Sequence, residues 1–324
     1  MKENGKTQKL STEPYKGVRD FYPEDMEVQN YIFSVWRKVA EKFGYQEYAA
    51  SLLEPAELYR TKGNEEIVNE QSFTFTDRGG REVALRPEMT PSLARMIAAR
   101  RKSLKFPLRW YTIANCFRYE RPQRGRKREH WQLNADVMGV AGIEAEVEII
   151  SLAHAVMKAF EAKNEDFEIR INSRKLLQEV YRPILKNEEQ FPELLRLLDK
   201  REKISEEEYE KKWKEQFTGP FREMKLHESK NLTILMRSLK EKGIETRFDP
   251  YLARGFDYYT DTVFEVFDTH PDNRRSLFGG GRYDNLLEMF GAEPIPTVGF
   301  GMGDVTIRDF LETHNLPLFS SSPL

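Results

Sequence analysis

Cysteine is all but missing from this sequence: Cys116 stands alone among 324 residues, so no internal disulfide can form, which suits a reducing, cytoplasmic setting. Hydrophobic runs are short, and none approaches the length of a membrane span, so no membrane association is expected. The opening MKENGKTQKLSTEP carries no apolar core, which argues against a signal peptide or an anchor. Net charge is nearly absent as well. With 51 Lys and Arg against 53 Asp and Glu, the sum is -2, and indiscriminate nucleic-acid binding through bulk charge is excluded; any such contact must come from a local patch. The histidines, at 130, 154, 227, 270 and 314, show no metal-ligand spacing, and with one cysteine a zinc site is not expected. No repeat of fixed period and no low-complexity linker interrupts the chain.

The cationic charge that is present is concentrated. In residues 115–139, NCFRYERPQRGRKREHWQLNADVMG, Arg121, Arg124, Arg126, Lys127 and Arg128 lie between two segments that read as strands, TIANCFRYE and HWQLNADVMG, with Pro122 and Gly125 turning the chain. Period two places Trp131, Leu133, Ala135 and Val137 on one face of the second strand and His130, Gln132, Asn134 and Asp136 on the other. A basic run by itself is a solvated tip. Arginine forks beside carboxylates and a polar strand face are what a site needs to hold a nucleotide and a small zwitterion side by side.

Along the chain, Val28, Ile32, Val35, Trp36, Val39 and Phe43 recur at helical spacing from Pro23 to Gly44, and an extended segment then closes at Pro55, an edge or strand-end position. Residues 71–91 read as a hairpin turning at Gly79-Gly80 and leading into a helix capped by Thr90, with Pro91 at its first position. A helix over 144–160 and a strand over 166–172 continue the pattern. From 173 to 243 the composition shifts to Lys, Glu and Leu with helical periodicity, predicting a helical insertion whose charge run is a solvated face. Residues 251–267 read as a turn followed by a strand. The three glycines at 279–281 permit close backbone approach or positive φ, and a tight turn accounts for them.

Phe-Arg-Tyr-Glu at 117–120, followed by a basic loop and a second strand, resembles motif 2 of the class II aminoacyl-tRNA synthetases, and the run is most similar to the histidyl family. Five further stretches agree. The helix, strand and proline of residues 23–55 resemble motif 1, which in that family forms the dimer interface. Leu-Arg-Pro-Glu-Met-Thr at 85–90 resembles the segment that binds the substrate ammonium group. Arg-Gly-Phe-Asp-Tyr-Tyr at 254–259 and Gly-Gly-Gly-Arg-Tyr-Asp at 279–284 match the two histidyl signatures, and TVGFGMGDVTI resembles motif 3.

The resemblance implies an α+β fold with a class II antiparallel sheet flanked by helices. It implies a discontinuous catalytic domain over 1–172 and 244–313, the helical insertion over 173–243, which in the family approaches the tRNA acceptor arm, and a tail or linker over 314–324 standing where the family continues into an anticodon-binding domain. It implies that Glu88, Met89, Thr90, Arg118, Gln132, Asp136, Arg254, Tyr258 and Tyr259 bind histidine, with Arg118 and Arg254 holding the carboxylate and α-phosphate in catalysis. Arg118, Glu120, Arg126 and His130 would bind ATP, which comes with Mg2+ as substrate and without a tightly bound cofactor. Arg121, Gln123, Arg124 and Lys127 would contact the acceptor end of tRNA(His), in a cytoplasmic homodimer. Two positions depart from the family pattern. Thr306 replaces the motif 3 arginine that contacts ATP phosphates, and His130 replaces a phenylalanine that stacks on adenine. The runner-up is a histidine-sensing regulatory subunit of ATP phosphoribosyltransferase.

Overall fold

The first helix forms where the apolar spacing predicts it. In the computed structural model, which describes residues 10–60, 71–201, 204–217, 228–254, 257–273 and 275–319, α1 spans Pro23–Lys42. Pro23, Glu24 and Asp25 open it and Lys42 lies in its last turn, each suited to the end it occupies. Gly44 follows at φ +81°, where the chain leaves the helix. Short strands β1 (Gln46–Glu47) and β2 (Leu53–Pro55) come next, then α2 (Glu57–Arg60) and the hairpin of β3 (Phe73–Thr76) and β4 (Glu82–Leu85). These strands make a small sheet, β2-β4-β3, with Pro55 on an edge strand where no amide donor is needed. His227 and the Gly255-Phe256 pair lie outside the described residues.

The chain continues through α3 (Thr90–Arg100), the ten-residue strands β5 (Leu108–Phe117) and β6 (Glu129–Met138), α4 (Glu144–Ala159) and β7 (Phe167–Ser173). Helices α5 (Arg174–Tyr181), α6 (Phe191–Asp199), α7 (Glu206–Gln216) and α8 (Lys230–Lys240) follow, then β8 (Arg247–Phe248), β9 (Thr262–Asp268), β10 (Ser276–Arg282), β11 (Thr297–Gly303) and α9 (Asp304–Thr313). The main sheet has the order β1-β5-β6-β11-β10-β9-β7-β8. It is antiparallel from β5 to β7, as expected, but both edge strands pair in parallel, β1 with β5 and β8 with β7. Parallel neighbours need a long crossover, and both pairs are joined by connections that contain helices.

Alternation along the strands separates two faces. Leu133, Ala135 and Val137 of β6, Val298, Phe300 and Met302 of β11, and Phe264 and Val266 of β9 enter one core with Ile32 and Trp36 of α1, Ile149 of α4 and Phe310 of α9. The opposite face carries the polar residues. Helices α5 to α7 build a separate apolar cluster from Leu177, Tyr181, Leu194, Leu198, Tyr209 and Trp213. The insertion expected to run to residue 243 is shorter in packing terms: Leu232, Leu235 and Leu239 of α8 form an apolar stripe that joins the main core against α4 and β7.

Buried Asp304 at the start of α9 ties the helical layer to the sheet. Its carboxylate accepts from Arg19 Nη2 at 2.8 Å, Gln29 Nε2 at 3.1 Å and the Trp131 amide at 2.8 Å, joining the N-terminal segment, α1 and β6. Thr306, two residues on, donates to the carbonyls of Leu277 at 2.8 Å and Gly303 at 3.1 Å, so the residue standing for the motif 3 arginine is committed to the backbone.

Candidate active site

Sheet register assembles the site on the polar face. Asp136 lies opposite Gly299, and Asn134 opposite Gly301; Gly301 in turn pairs with Gly279 and Gly299 with Gly281. Glu265 of β9 stands beyond Gly279. Four glycines thus form a floor between a polar wall on β6 and a carboxylate on β9. A Cβ on Gly299 would overlap Asp136, one on Gly301 would overlap Gln132, and one on Gly281 would come within 2.9 Å of the Tyr259 ring. The expectation of a tight turn at 279–281 is therefore corrected: all three glycines lie inside β10, none with positive φ, and close approach is what requires them.

Above this floor is a cavity of about 100 Å³ lined by Glu88, Thr90, Arg118, Gln132, Asp136, Arg254, Tyr258 and Tyr259, together with Asn134 and Tyr283. A cavity needs only about 10–15 Å³ to hold one water, so this one has room for several ligand atoms. Two buried carboxyls mark it. Burial pushes Glu88 up to about 7, against the opposing pull of Arg118 and a hydrogen bond from the Tyr258 hydroxyl at 3.1 Å. Burial likewise raises Asp136 to about 7, although the Tyr283 hydroxyl donates to its Oδ1. The Arg118 Nε donates to the Pro87 carbonyl at 2.9 Å. Arg254 sits at φ +59° and is paired with Glu265, while its Nε is buried without a hydrogen-bond partner among the described residues.

Other expected residues fall elsewhere. Met89 is fully buried in the apolar cluster of Leu93, Ile97, Ala114 and Cys116, so it supports α3 and does not line the cavity. Thr90 is the first residue of α3 and not its cap; it bonds Tyr258 instead, and Met89 occupies the cap position without a side-chain bond. Glu120, Arg126 and His130 are outside the cavity lining, with Arg126 3.6 Å from Glu120. Burial, reinforced by Arg118, pushes His130 down to about 3, so its imidazole is neutral. The strand expected to run through Glu120 stops at Phe117, and the hairpin closes through reciprocal backbone bonds between Gln123 and Arg126. Within this loop Arg121 and Gln123 are exposed and Lys127 is half-buried. Arg124, expected to face RNA, donates to Asp309 at 2.7 Å and Thr313 at 3.0 Å on α9, because the turn directs it back across the domain.

The residues missed in assembling the candidate set were Asn134 and Tyr283. Asn134 falls on the polar face that period two predicts, and its Oδ1 is buried with no hydrogen-bond partner among the described residues. Tyr283 lies within the second signature, but its role depends on reaching Asp136 across the sheet. Arg282, its neighbour, points away and forms a buried pair with Glu146, with Nη2 and Oε2 2.6 Å apart.

A family model described as histidyl-tRNA synthetase matches residues 17–218 and 206–305. A histidine--tRNA ligase of Leptospira biflexa is 45% identical over 340 residues, covering 98% of this chain and 78% of the relative. The chain belongs to the histidyl-tRNA synthetase family. Another histidyl-family relative, a histidine--tRNA ligase of Opitutus terrae, is 39% identical over 330 residues, covering 93% of this chain and 75% of its own length. In fold, the chain is similar to a solved Bacillus halodurans protein named as an ATP phosphoribosyltransferase regulatory subunit/histidyl-tRNA synthetase. That likeness has a TM-score of 0.77 at 24% identity and covers 94% of this chain and 84% of the other.

Proposed function

We propose that this histidyl-family chain is a histidine--tRNA ligase: it activates histidine with ATP to histidyl-adenylate and transfers the histidyl group to tRNA(His). The observation that carries the reading is the cavity, where a cationic pair, two buried carboxyls and two tyrosines from widely separated stretches converge on one space. Relatives at 45% and 39% identity bear the ligase name, which favours this reading over a histidine-sensing regulatory subunit.

Activation joins a carboxylate to the α-phosphate of ATP and expels pyrophosphate, so positioning and charge stabilisation suffice without a protein nucleophile. Glu88, Thr90 and Gln132 hold the substrate ammonium group. Asp136, oriented by Tyr283, accepts from the imidazole N–H, and Tyr259 serves its other nitrogen. Tyr258 holds Glu88. Arg118 and Arg254 neutralise the carboxylate and α-phosphate as the bond forms. Glu120, Arg126 and His130 serve ATP, with Mg2+ arriving as part of that substrate. Arg121, Gln123 and Lys127 remain for the acceptor end of the RNA, while Arg124 is withdrawn to Asp309.

A homodimer formed through α1 and the strands after it is supported by the exposed apolar side chains Tyr22, Met26, Leu52 and Leu53. A cytoplasmic location is consistent with one free cysteine; among the described residues no helix is long and apolar enough to cross a membrane. The test is histidine-dependent exchange of pyrophosphate into ATP. The intact protein should catalyse it, and Arg254→Ala should lower it by about 100-fold or more while the folded fraction is retained. Absence of exchange in the intact protein would overturn the reading.

A further inference from the structure

The junction between β7 and α5 grips the segment that carries Arg254. The Asn172 side-chain amide donates to the Leu252 carbonyl at 3.0 Å, the Ser173 hydroxyl to Asp261 Oδ1 at 2.6 Å, and the Arg174 amide to the Asp261 carbonyl at 3.0 Å. Lys175 pairs with Asp261 at 2.9 Å. At the centre is Arg174, 5% exposed, whose guanidinium is surrounded by backbone oxygens of this one segment. Its Nε donates to Ala253 O at 3.1 Å, Nη2 to Arg254 O at 2.8 Å, and Nη1 to the carbonyls of Asp257 and Tyr259 at 3.4 Å each. Burial pushes Arg174 down to about 10, so it remains charged at neutral pH.

Such a fan of donors solves a physical problem. Arg254 holds a left-handed backbone conformation that costs a residue with a Cβ roughly 1–2 kcal/mol, and the carbonyls around it lie away from any strand ladder. A planar guanidinium with five donors can serve all four of these carbonyls, where an ammonium with three cannot. The same side chain ties the segment to the helical layer: Arg174 is the first residue of α5, whose Leu177 and Tyr181 pack with Ala253 and Tyr251 in the cluster of α6 and α7.

We infer that Arg174 is a positioning residue, which fixes Arg254 over the cavity and makes the seating of α5 to α7 a condition for activation of the amino acid. The inference rests on the ligase reading for its activity consequence, but its structural consequence is separate.

Arg174→Lys keeps the charge and loses the planar fork of donors, and circular dichroism checks that it folds. Its pyrophosphate exchange should fall in kcat by about 100-fold, as a misplaced reacting group does, with KM for histidine and ATP within about threefold of the parent. In Arg174→Ala, added guanidinium should restore at least about tenfold of the lost rate, because it can refill the ring of carbonyls that the truncation leaves without donors. Hydrogen–deuterium exchange of the same proteins without ligand should show residues 252–261 opening at least about tenfold faster in Arg174→Lys, with β10 and β11 unchanged. A kcat within twofold of the parent, or unchanged protection of residues 252–261, would overturn the inference. If the parent shows no exchange activity, the ligase reading fails alone, and the protection of 252–261 still decides the positioning role.

Discussion

At the scale of single residues, Glu88 and Asp136 dominate the chemistry because the fold withdraws both from water. Each binds its proton more tightly folded than unfolded, so its contribution to stability is full below about 4 and is lost as pH rises through about 7. Urea unfolding of the ligand-free protein, compared with the double variant Glu88→Gln, Asp136→Asn, should therefore show the parent losing stability relative to the variant between about pH 4 and 7, on the order of 3 kcal/mol per carboxyl. Parallel curves would contradict the burial argument. An ammonium group held at Glu88 should pull its proton off, so calorimetry near neutral pH in buffers of different ionisation heat should detect proton release on histidine binding. Asp136→Asn should weaken histidine by about 1–3 kcal/mol and ATP hardly at all, because the amide can present a donor to the imidazole N–H. Equal losses for both ligands would make Asp136 a supporting residue.

Among elements, the glycine-bearing strands and α9 carry opposite kinds of constraint. Alanine has no cost in a strand that glycine lacks, yet Gly279→Ala would drive a methyl into the Phe264 carbonyl and against the Arg254 guanidinium. This variant should lose about 1–3 kcal/mol of stability through overpacking and weaken histidine more than tenfold, read by denaturation and titration; full affinity would mean that the floor can yield. Asp304→Ala tests the other constraint. Removing the buried carboxylate leaves Arg19 and the Trp131 amide without their acceptor, so unfolding free energy should drop by about 3–5 kcal/mol. The helices themselves were legible from apolar spacing, since a stripe repeating every three or four residues has only one way to be buried. Strand ends were less so: the polarity of Phe117 to Glu120 continues past the point where the ladder stops, and only pairing decides that point.

For the whole molecule, the hairpin loop and the proposed dimer make separate predictions. Gln123→Ala should lower charging of tRNA(His) while leaving pyrophosphate exchange nearly intact, because activation precedes RNA contact; aminoacylation and exchange at one fixed salt concentration check it. Sedimentation across micromolar concentrations should find a dimer, and a monomer throughout would remove α1 and its following strands from that role.

The order of the motifs, the helical stripes and the two-residue alternation of β6 follow from the chain itself, because local backbone geometry dictates which side chains share a face. So does the residue content of the site, carried by contiguous signatures. What only the tertiary structure decided is which of those residues meet. Met89 is adjacent to Glu88 in sequence yet faces the opposite way into the core, Arg124 turns back to α9, and Tyr283 reaches Asp136 through a sheet register no local pattern reveals. The parts of the glycine run and of Arg174 are likewise set at long range. Space above a glycine, or a ring of carbonyls around a guanidinium, exists only once strands and loops far apart in sequence have packed together.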